Sequence, residues 1–328
     1  MYGIPGFVGG GQEPATVEAL GEADAVEIAA EHYELVVVQA TRLDTERDDT
    51  FRLDAAGGTF VLKIAHPADT RESLDLETRA VEYATLADAA IPLPRILPSA
   101  NGDFAPALTN HGGRRVRLLS WLPGIPLHET SPTDEQVGEL GRTLGHLTQA
   151  LRGFDHPAAH RPFAWDVIQF PTLAAVNTEV GNELTSEVFS RFASLVAPRL
   201  AELPRQVVHN DFNTGNVLVE PTGPRYVTGI IDFGDVVHTA RIGDLAVALS
   251  YQIFPLGRSW EQLDPFIEAY RMVVPLEQAE LDILRDLVAV RFAQRILIYQ
   301  WMQRGSPDAL DFATQGNLAA LDLLLREN

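Results

Sequence analysis

The sequence has no cysteine in 328 residues, which excludes a disulfide framework, thiolate metal ligation and cysteine nucleophiles together. Lysine is almost as scarce: Lys63 is the single one, and the remaining strongly basic side chains are arginines. Positive charge is in deficit overall, since 25 Lys and Arg against 45 Asp and Glu leave a net charge of -20. Such a balance repels the phosphates of nucleic acid and favours cationic small molecules, although an acidic surface also serves solubility. No run approaches 18 uninterrupted apolar residues, so no membrane-spanning helix is expected. Residues 1–14 are glycine-rich and carry no Lys or Arg. They lack the basic start and apolar run of a secretory signal and read as a disordered tail. The expectation is a soluble cytoplasmic protein with neither nucleic acid nor membrane as partner; nothing in the sequence speaks to its oligomeric state.

Several reaction classes are missing their residues. There is no Walker A glycine run leading to the lysine and no G-x-S-x-G elbow, and His128-Glu129 has no second histidine at metal-binding spacing.

What the sequence does hold is concentrated between Val207 and Asp235. There V-V-H-N-D-F-N-T-G-N-V-L-V-E is followed, after a turn, by Y-V-T-G-I-I-D-F-G-D. Short apolar runs bounded by Gly, Pro, Asn and Asp read as strands, so Asp211, Asn216 and Asp232 fall at strand ends. His-x-Asp-x4-Asn followed by Asp-Phe-Gly is the spacing of phosphoryl transfer in the kinase fold. In that reading Asp211 takes the proton of the acceptor hydroxyl, while Asn216 and Asp232 hold magnesium through hard oxygen donors. His209 braces the loop, Phe233 packs, and Asp235 lies near enough to face a cationic amine. Asp244 fits a helix N-cap or a loop anchor.

The flanking chain agrees with this centre. At this length the chain is expected to form two domains. A helix over 16–32, with Thr16 as N-cap, precedes strands at 33–43, 50–53 and 59–65. The third strand alternates, with Phe60, Leu62 and Ile64 on one face and Lys63 on the other. An ammonium in the middle of an apolar strand is costly without a partner. A helix over 70–89 follows, with Asp69 and Glu72 spaced as a capping box. Its Glu77, 14 residues after Lys63, completes the Lys–Glu pair that orients nucleotide phosphates, with Glu72 and Glu82 as alternatives. Strand-like runs at 95–98, 105–109 and 114–122 close a small sheet before Pro123-Gly124-Ile125-Pro126 breaks the chain. A nucleotide base would stack at this break, bonded to backbone near Ser120, Trp121 and Leu122, with Trp121 covering the ring or simply packing. Beyond it Val137, Leu140, Leu144, Leu147 and Leu151 recur at helical spacing, and further helical patterns cover 184–203, 244–253, 260–273, 277–304 and 308–326. The fold expected is α+β and two-lobed, protein-kinase-like, with an antiparallel five-stranded N-lobe over 15–122 that binds nucleotide. A mainly α-helical C-lobe over 123–328 carries the catalytic and substrate site.

The phrases H-N-D-F-N-T-G-N-V-L-V-E, I-I-D-F-G-D, V-L-K-I-A-H and L-L-S-W-L-P-G together resemble the aminoglycoside phosphotransferase family of the protein-kinase-like fold. The wording is most similar to hydroxylysine kinase-like members, which also share the patterns at Asp48 to Phe51, Ile231 to Ala246 and Arg291 to Leu297. The resemblance spans roughly residues 15–328 and implies Mg2+ with ATP or GTP as donor, and a small hydroxyl-bearing acceptor such as a hydroxylated amino acid. An aminoglycoside, homoserine-like or choline-like acceptor, or a catalytically silent nucleotide-binding regulator, stays open. Two departures from protein kinases stand out. Residues 42–51 contain no glycine, so the polar turn at Asp44 to Thr50 is left to cover the phosphates. Only about ten residues separate Gly234 from Asp244, and no Ala-Pro-Glu follows, so nothing remains to dock a peptide.

Overall fold

The computed structural model describes residues 19–45, 47–304 and 312–326. The expected tail at 1–14 and the N-cap at Thr16 lie outside the described residues. The chain divides into two compact units, one ending at Pro123 and the other continuing from Gly124.

The smaller unit is a five-stranded antiparallel sheet with helices α1 (Glu22–Tyr33) and α2 (Arg71–Ala87). Its strands are β1 (Val37–Leu43), β2 (Asp49–Ala55), β3 (Gly58–Ile64), β4 (Ile96–Leu97) and β5 (Val116–Ser120), in the order β1-β2-β3-β5-β4. Strand alternation sorts the two faces. Phe51 pairs with Leu62, Leu62 with Leu118 and Ile64 with Val116; these apolar residues are buried in one core with Ala25, Ile28 and Ala29 of α1. The residues between them, Thr50, Lys63 and Arg117, are cross-strand partners on the opposite face.

Local chemistry moves several boundaries from their sequence-based positions. β1 starts at Val37 because Glu34, which caps α1, adopts a left-handed φ of 54° and breaks the extended run. The N-cap of α2 is Thr70, whose hydroxyl accepts from the Ser73 amide at 3.1 Å; Asp69 instead pairs with Arg47. The run at 105–109 is no strand but a single bridge between Ala107 and Arg115.

The larger unit is mainly helical: α3 (Asp134–Ala150), α4 (Ala174–Val180), α5 (Glu183–Arg191), α6 (Ile242–Ile253), α7 (Asp264–Val273), α8 (Gln278–Met302) and α9 (Phe312–Arg326). The leucines expected on α3 are fully buried. Gly141 lets α7 approach closely, for a Cβ there would sit 2.1 Å from the Phe266 carbonyl oxygen. The long helix expected over 184–203 is broken: α5 stops at Arg191, a wider turn covers Phe192–Val196, and Pro198 sits in the short turn Ala197–Arg199. Helix α8 is buried nearly all round from Ile283 to Ile298, the pattern of a helix at the centre of a core.

Into this helical body are set β6 (Ile125–Pro126), β7 (Arg205–Val208), β8 (Val217–Val219), β9 (Val227–Ile230) and β10 (Val237–Ala240). β7 pairs antiparallel with β10, and β8 with both β6 and β9. The β7–β8 loop and the β9–β10 loop therefore leave neighbouring strand pairs, and these two loops carry the residues singled out by the motif.

Candidate active site

In the β7–β8 loop, Asp211 is held from three sides. Asn213 Nδ2 and Asn216 Nδ2 donate to its Oδ2 at 2.8 and 2.7 Å, and Arg291 Nη2 approaches Oδ1 at 3.3 Å. Asn213 in turn accepts from the amides of Gly215 and Asn216 through its Oδ1, so one side chain both closes the turn and aims the carboxylate. The loop is pinned below by Asp244, fully buried on the first turn of α6, which accepts from the Asn210 amide at 2.7 Å. Asp244 is thus the loop anchor and not an N-cap; Arg241 occupies that position.

The β9–β10 loop is clamped to the first by the Ile231 peptide groups. The Ile231 amide donates to the Asn216 carbonyl at 2.9 Å, and His209 Nε2 donates to the Ile231 carbonyl at 3.2 Å. The tautomer follows from the other ring nitrogen, because the Asp211 amide donates to His209 Nδ1 and that nitrogen therefore carries no proton. Phe233 packs edge-on against the same imidazole, with ring centroids 4.7 Å apart. The clamp sets Asp232 beside Asn216. Two non-glycine residues here, Asn210 and Asp232, take left-handed φ values of 64° and 63°. Side chains rarely adopt that conformation, and it is kept where the surroundings enforce it.

Electrostatically, Asp211, Asp232 and Asp235 lie close enough to influence one another. Burial pushes the carboxyl groups of Asp211 and Asp235 upward, and mutual repulsion adds to it, while Arg291 pulls both back. Such a cluster is stabilised by a cation, and the donor set suits magnesium. Asn216, its Nδ2 taken by Asp211, is left with Oδ1 as a ligand, and Asp232 presents an exposed carboxylate, one oxygen of which also accepts from the Gly234 amide. Among the described residues no three His, Cys, Asp or Glu side chains close a metal cage. A magnesium that keeps water and phosphate oxygens as most of its ligands needs none.

In the smaller unit, Lys63 is mostly buried, and its Nζ lies 3.6 Å from Asp48 Oδ2. Glu77 Oε2 receives Arg117 Nη1 at 2.5 Å, and Arg117 is the cross-strand partner of Lys63, so Lys63, Arg117 and Glu77 gather on one face of the sheet. At the end of β5 the Ser120 amide donates to Arg95 and the Trp121 amide to Thr59. Leu122 alone of the three keeps an amide without a partner among the described residues. One face of Trp121 is covered by the Arg52 guanidinium, 4.8 Å from the ring centroid.

Comparison with known proteins fits this geometry. The model of the phosphotransferase enzyme family matches residues 39–286. The chain belongs to that family. The phosphotransferase is 25% identical over 305 residues to a hydroxylysine kinase of Danio rerio, covering 88% of this chain and 86% of that one. It is 27% identical over 225 residues to a homoserine kinase of Azorhizobium caulinodans, covering 66% and 67% of the two chains. Among solved structures it is similar to a microcompartment-associated aminopropanol kinase, with a TM-score of 0.73, 19% identity and 93% and 97% of the chains covered. An amicoumacin kinase in complex with AMP-PNP and Ca2+ gives a TM-score of 0.71 at 19% identity, with 92% and 94% covered. The fold is that of the protein-kinase-like phosphotransferases, and the activity is phosphoryl transfer to a hydroxyl group of a small molecule.

The motif spacing assigns no role to Asn213, Arg291 or Arg117. Asn213 was visible as a second amide two residues beyond Asp211. Arg291 opens the Arg291 to Leu297 pattern of the resemblance, which by itself carries no role, and Arg117 offers only the weak signal of a charge inside an apolar strand.

Proposed function

We propose that this phosphotransferase moves the γ-phosphoryl group of ATP or GTP, bound with Mg2+, onto a hydroxyl of a small amine-bearing acceptor, with a hydroxylated amino acid of the hydroxylysine type favoured. The observation that carries the reading is Asp211: a carboxylate fixed by two amides and a guanidinium, beside an amide oxygen and a second carboxylate suited to magnesium.

In this reading Asp211 accepts the proton as the acceptor oxygen bonds to the γ-phosphorus and the bond to the β-bridging oxygen breaks. The products are a phosphate ester and a nucleoside diphosphate. Asn213 and Asn216 hold the carboxylate in place, a positioning role that costs little reorganisation during reaction. Magnesium, held by Asn216 and Asp232, would neutralise charge on the phosphates. Lys63, with Glu77 and Arg117 around it, supplies positive charge for the phosphates, and the Leu122 amide is a hydrogen-bond donor for the base. Asp235 faces the acceptor's ammonium. The names of the hydroxylysine and homoserine kinases among its relatives support an amino-acid acceptor.

The test is a turnover assay with magnesium nucleotide, ATP and GTP in parallel, over a panel of hydroxylated amines. Consumption of nucleotide with at least one of them is expected. If none is phosphorylated while nucleotide still stabilises the protein, the chain is a silent nucleotide binder.

A further inference from the structure

Helix α8 brings a second arginine to the site, one turn beyond Arg291. Arg295 is only 5% exposed. Its one hydrogen bond among the described residues runs from Nη1 to the Phe254 carbonyl at 3.2 Å, and its buried Nε has no partner. No carboxylate among the described residues lies within ion-pair distance of it. This contrasts with Arg291, which meets both the Trp165 carbonyl and Asp211. Arg295 instead lies against aromatic faces, with its guanidinium carbon 4.3 Å from the Tyr251 ring centroid and 5.6 Å from that of Phe254.

Contacts of this kind do not offset the desolvation of a guanidinium, whose burial costs several times what a cation–π contact returns. Burial and the neighbouring Arg291 both disfavour the charged form of Arg295. A buried cation that the protein leaves without an anion, yet close enough to Asp211 to feel its charge, is an incomplete ion pair. Half-buried rings border the place: Tyr251, Trp165 and Tyr299, the last two edge to face at 6.0 Å between centroids.

We infer that Arg295 receives the carboxylate of the acceptor, so that the substrate is a zwitterion whose ammonium faces Asp235 and whose carboxylate completes the ion pair at Arg295. The inference rests on the kinase reading above and narrows it from hydroxylated amines to hydroxylated amino acids. Planar guanidinium donors match a carboxylate in two-point geometry. A site built to pair that anion also rejects an acceptor lacking it, because Arg295 would then stay buried and unpaired.

The experiment compares matched acceptors: hydroxylysine with the diamino alcohol left when its carboxylate is removed, and homoserine with aminopropanol. Each is assayed with magnesium ATP and GTP by release of nucleoside diphosphate. The wild type is expected to prefer an amino acid over its decarboxylated partner by at least tenfold in kcat/KM. In Arg295→Met that preference should collapse, through a raised KM for the amino acid with little change for the amino alcohol; Arg295→Lys should recover part of it. A general packing role would lower both acceptors alike, and that result overturns the inference. So does a wild type that uses amino alcohols as well as amino acids, an outcome that leaves the kinase reading standing and is decided without any variant. Failure of all four acceptors to consume nucleotide removes the amino-acid acceptor of the proposed function and the inference with it, while the family's phosphoryl transfer to some other small hydroxylated molecule stands.

Discussion

His209 Nε2 donates to the Ile231 carbonyl at 3.2 Å, and through this bond a fully buried imidazole holds the Asp232 loop against the Asp211 loop. Its Nδ1 accepts from the Asp211 amide, so one ring fixes the backbone beside both carboxylates. The histidine of the motif acts here as a brace, since both ring nitrogens are engaged with backbone.

His209→Ala should therefore cost both stability and turnover. Truncating a buried ring and leaving two backbone groups unpaired amounts to about 2–4 kcal/mol. Turnover should fall further than nucleotide binding, because the relative placement of Asp211 and Asp232 is what is lost. His209→Gln, which offers a donor near the Nε2 position, should recover part of both. Thermal melts and steady-state kinetics on the two variants check this; an alanine variant with wild-type kinetics would rule out the brace.

Asp211→Asn tests the proposed base directly. The substitution is nearly isosteric and keeps an oxygen for Asn213 and Asn216, so stabilisation by nucleotide should be retained, while the loss of the anion beside buried Arg291 lowers the stability of the fold. General-base contributions of roughly 10²- to 10⁴-fold set the expected loss in kcat. Asn213→Ala should lose less, about tenfold, since Asn216 and Arg291 still hold the carboxylate. Loss of both turnover and nucleotide stabilisation in Asp211→Asn would show that Asp211 serves binding and not proton transfer.

Much of this arrangement was legible in the sequence because it is local. Asp211 and Asn216 belong to one loop, Asp232 and Asp235 to another, and strand-ending residues announce both. The alternation that set Lys63 opposite Leu62 and Ile64 was equally readable. Partners from distant parts of the chain were not: Arg291 comes 80 positions after Asp211, and Arg117 reaches Glu77 across 40. Element boundaries shift where a single residue decides the backbone, as Glu34 does before the start of β1 and Pro198 does after α5. The run at 105–109 has strand composition, yet tertiary pairing leaves it only one bridge.

Lys63 is the sole lysine, which makes its role chemically testable. An amine-reactive acylating reagent can modify only Lys63 and the chain's α-amino group, so loss of activity on modification maps to few sites. Magnesium nucleotide should protect Lys63, measured by peptide mass spectrometry. Lys63→Ala should lower kcat/KM for nucleotide by about 10²-fold while leaving the melting temperature within a few degrees, because the side chain sits on the face of the sheet away from the apolar core. Unchanged labelling in the presence of saturating nucleotide would dissociate Lys63 from the phosphates.

The smaller unit carries its own electrostatic fastening. Arg114 is buried and donates to Asp49 Oδ2 at 2.7 Å, to the Ala65 carbonyl at 2.9 Å and to the Ile64 carbonyl at 3.0 Å, tying the end of β3 to the start of β2. Burial alone would raise the Asp49 carboxyl, but hydrogen bonds from Arg114 and Arg42 outweigh it and hold the group below the usual carboxylate range. The sign follows. A carboxyl whose folded value lies below its unfolded value of about 3.9 stabilises the fold above that value, and the contribution is lost as pH falls through the lowered one. Arg114→Met leaves Asp49 buried with only part of its charge answered, a loss of about 3–5 kcal/mol at neutral pH. In the variant Asp49 takes up a proton more readily than in the wild type, so the stability gap should narrow as pH drops from about 7 toward 4. It should not close, since the two carbonyl bonds are missing at every pH. Calorimetric melting of both proteins across that range measures the gap; one that is constant with pH would mean that the carbonyl bonds, and not the ion pair, carry the effect.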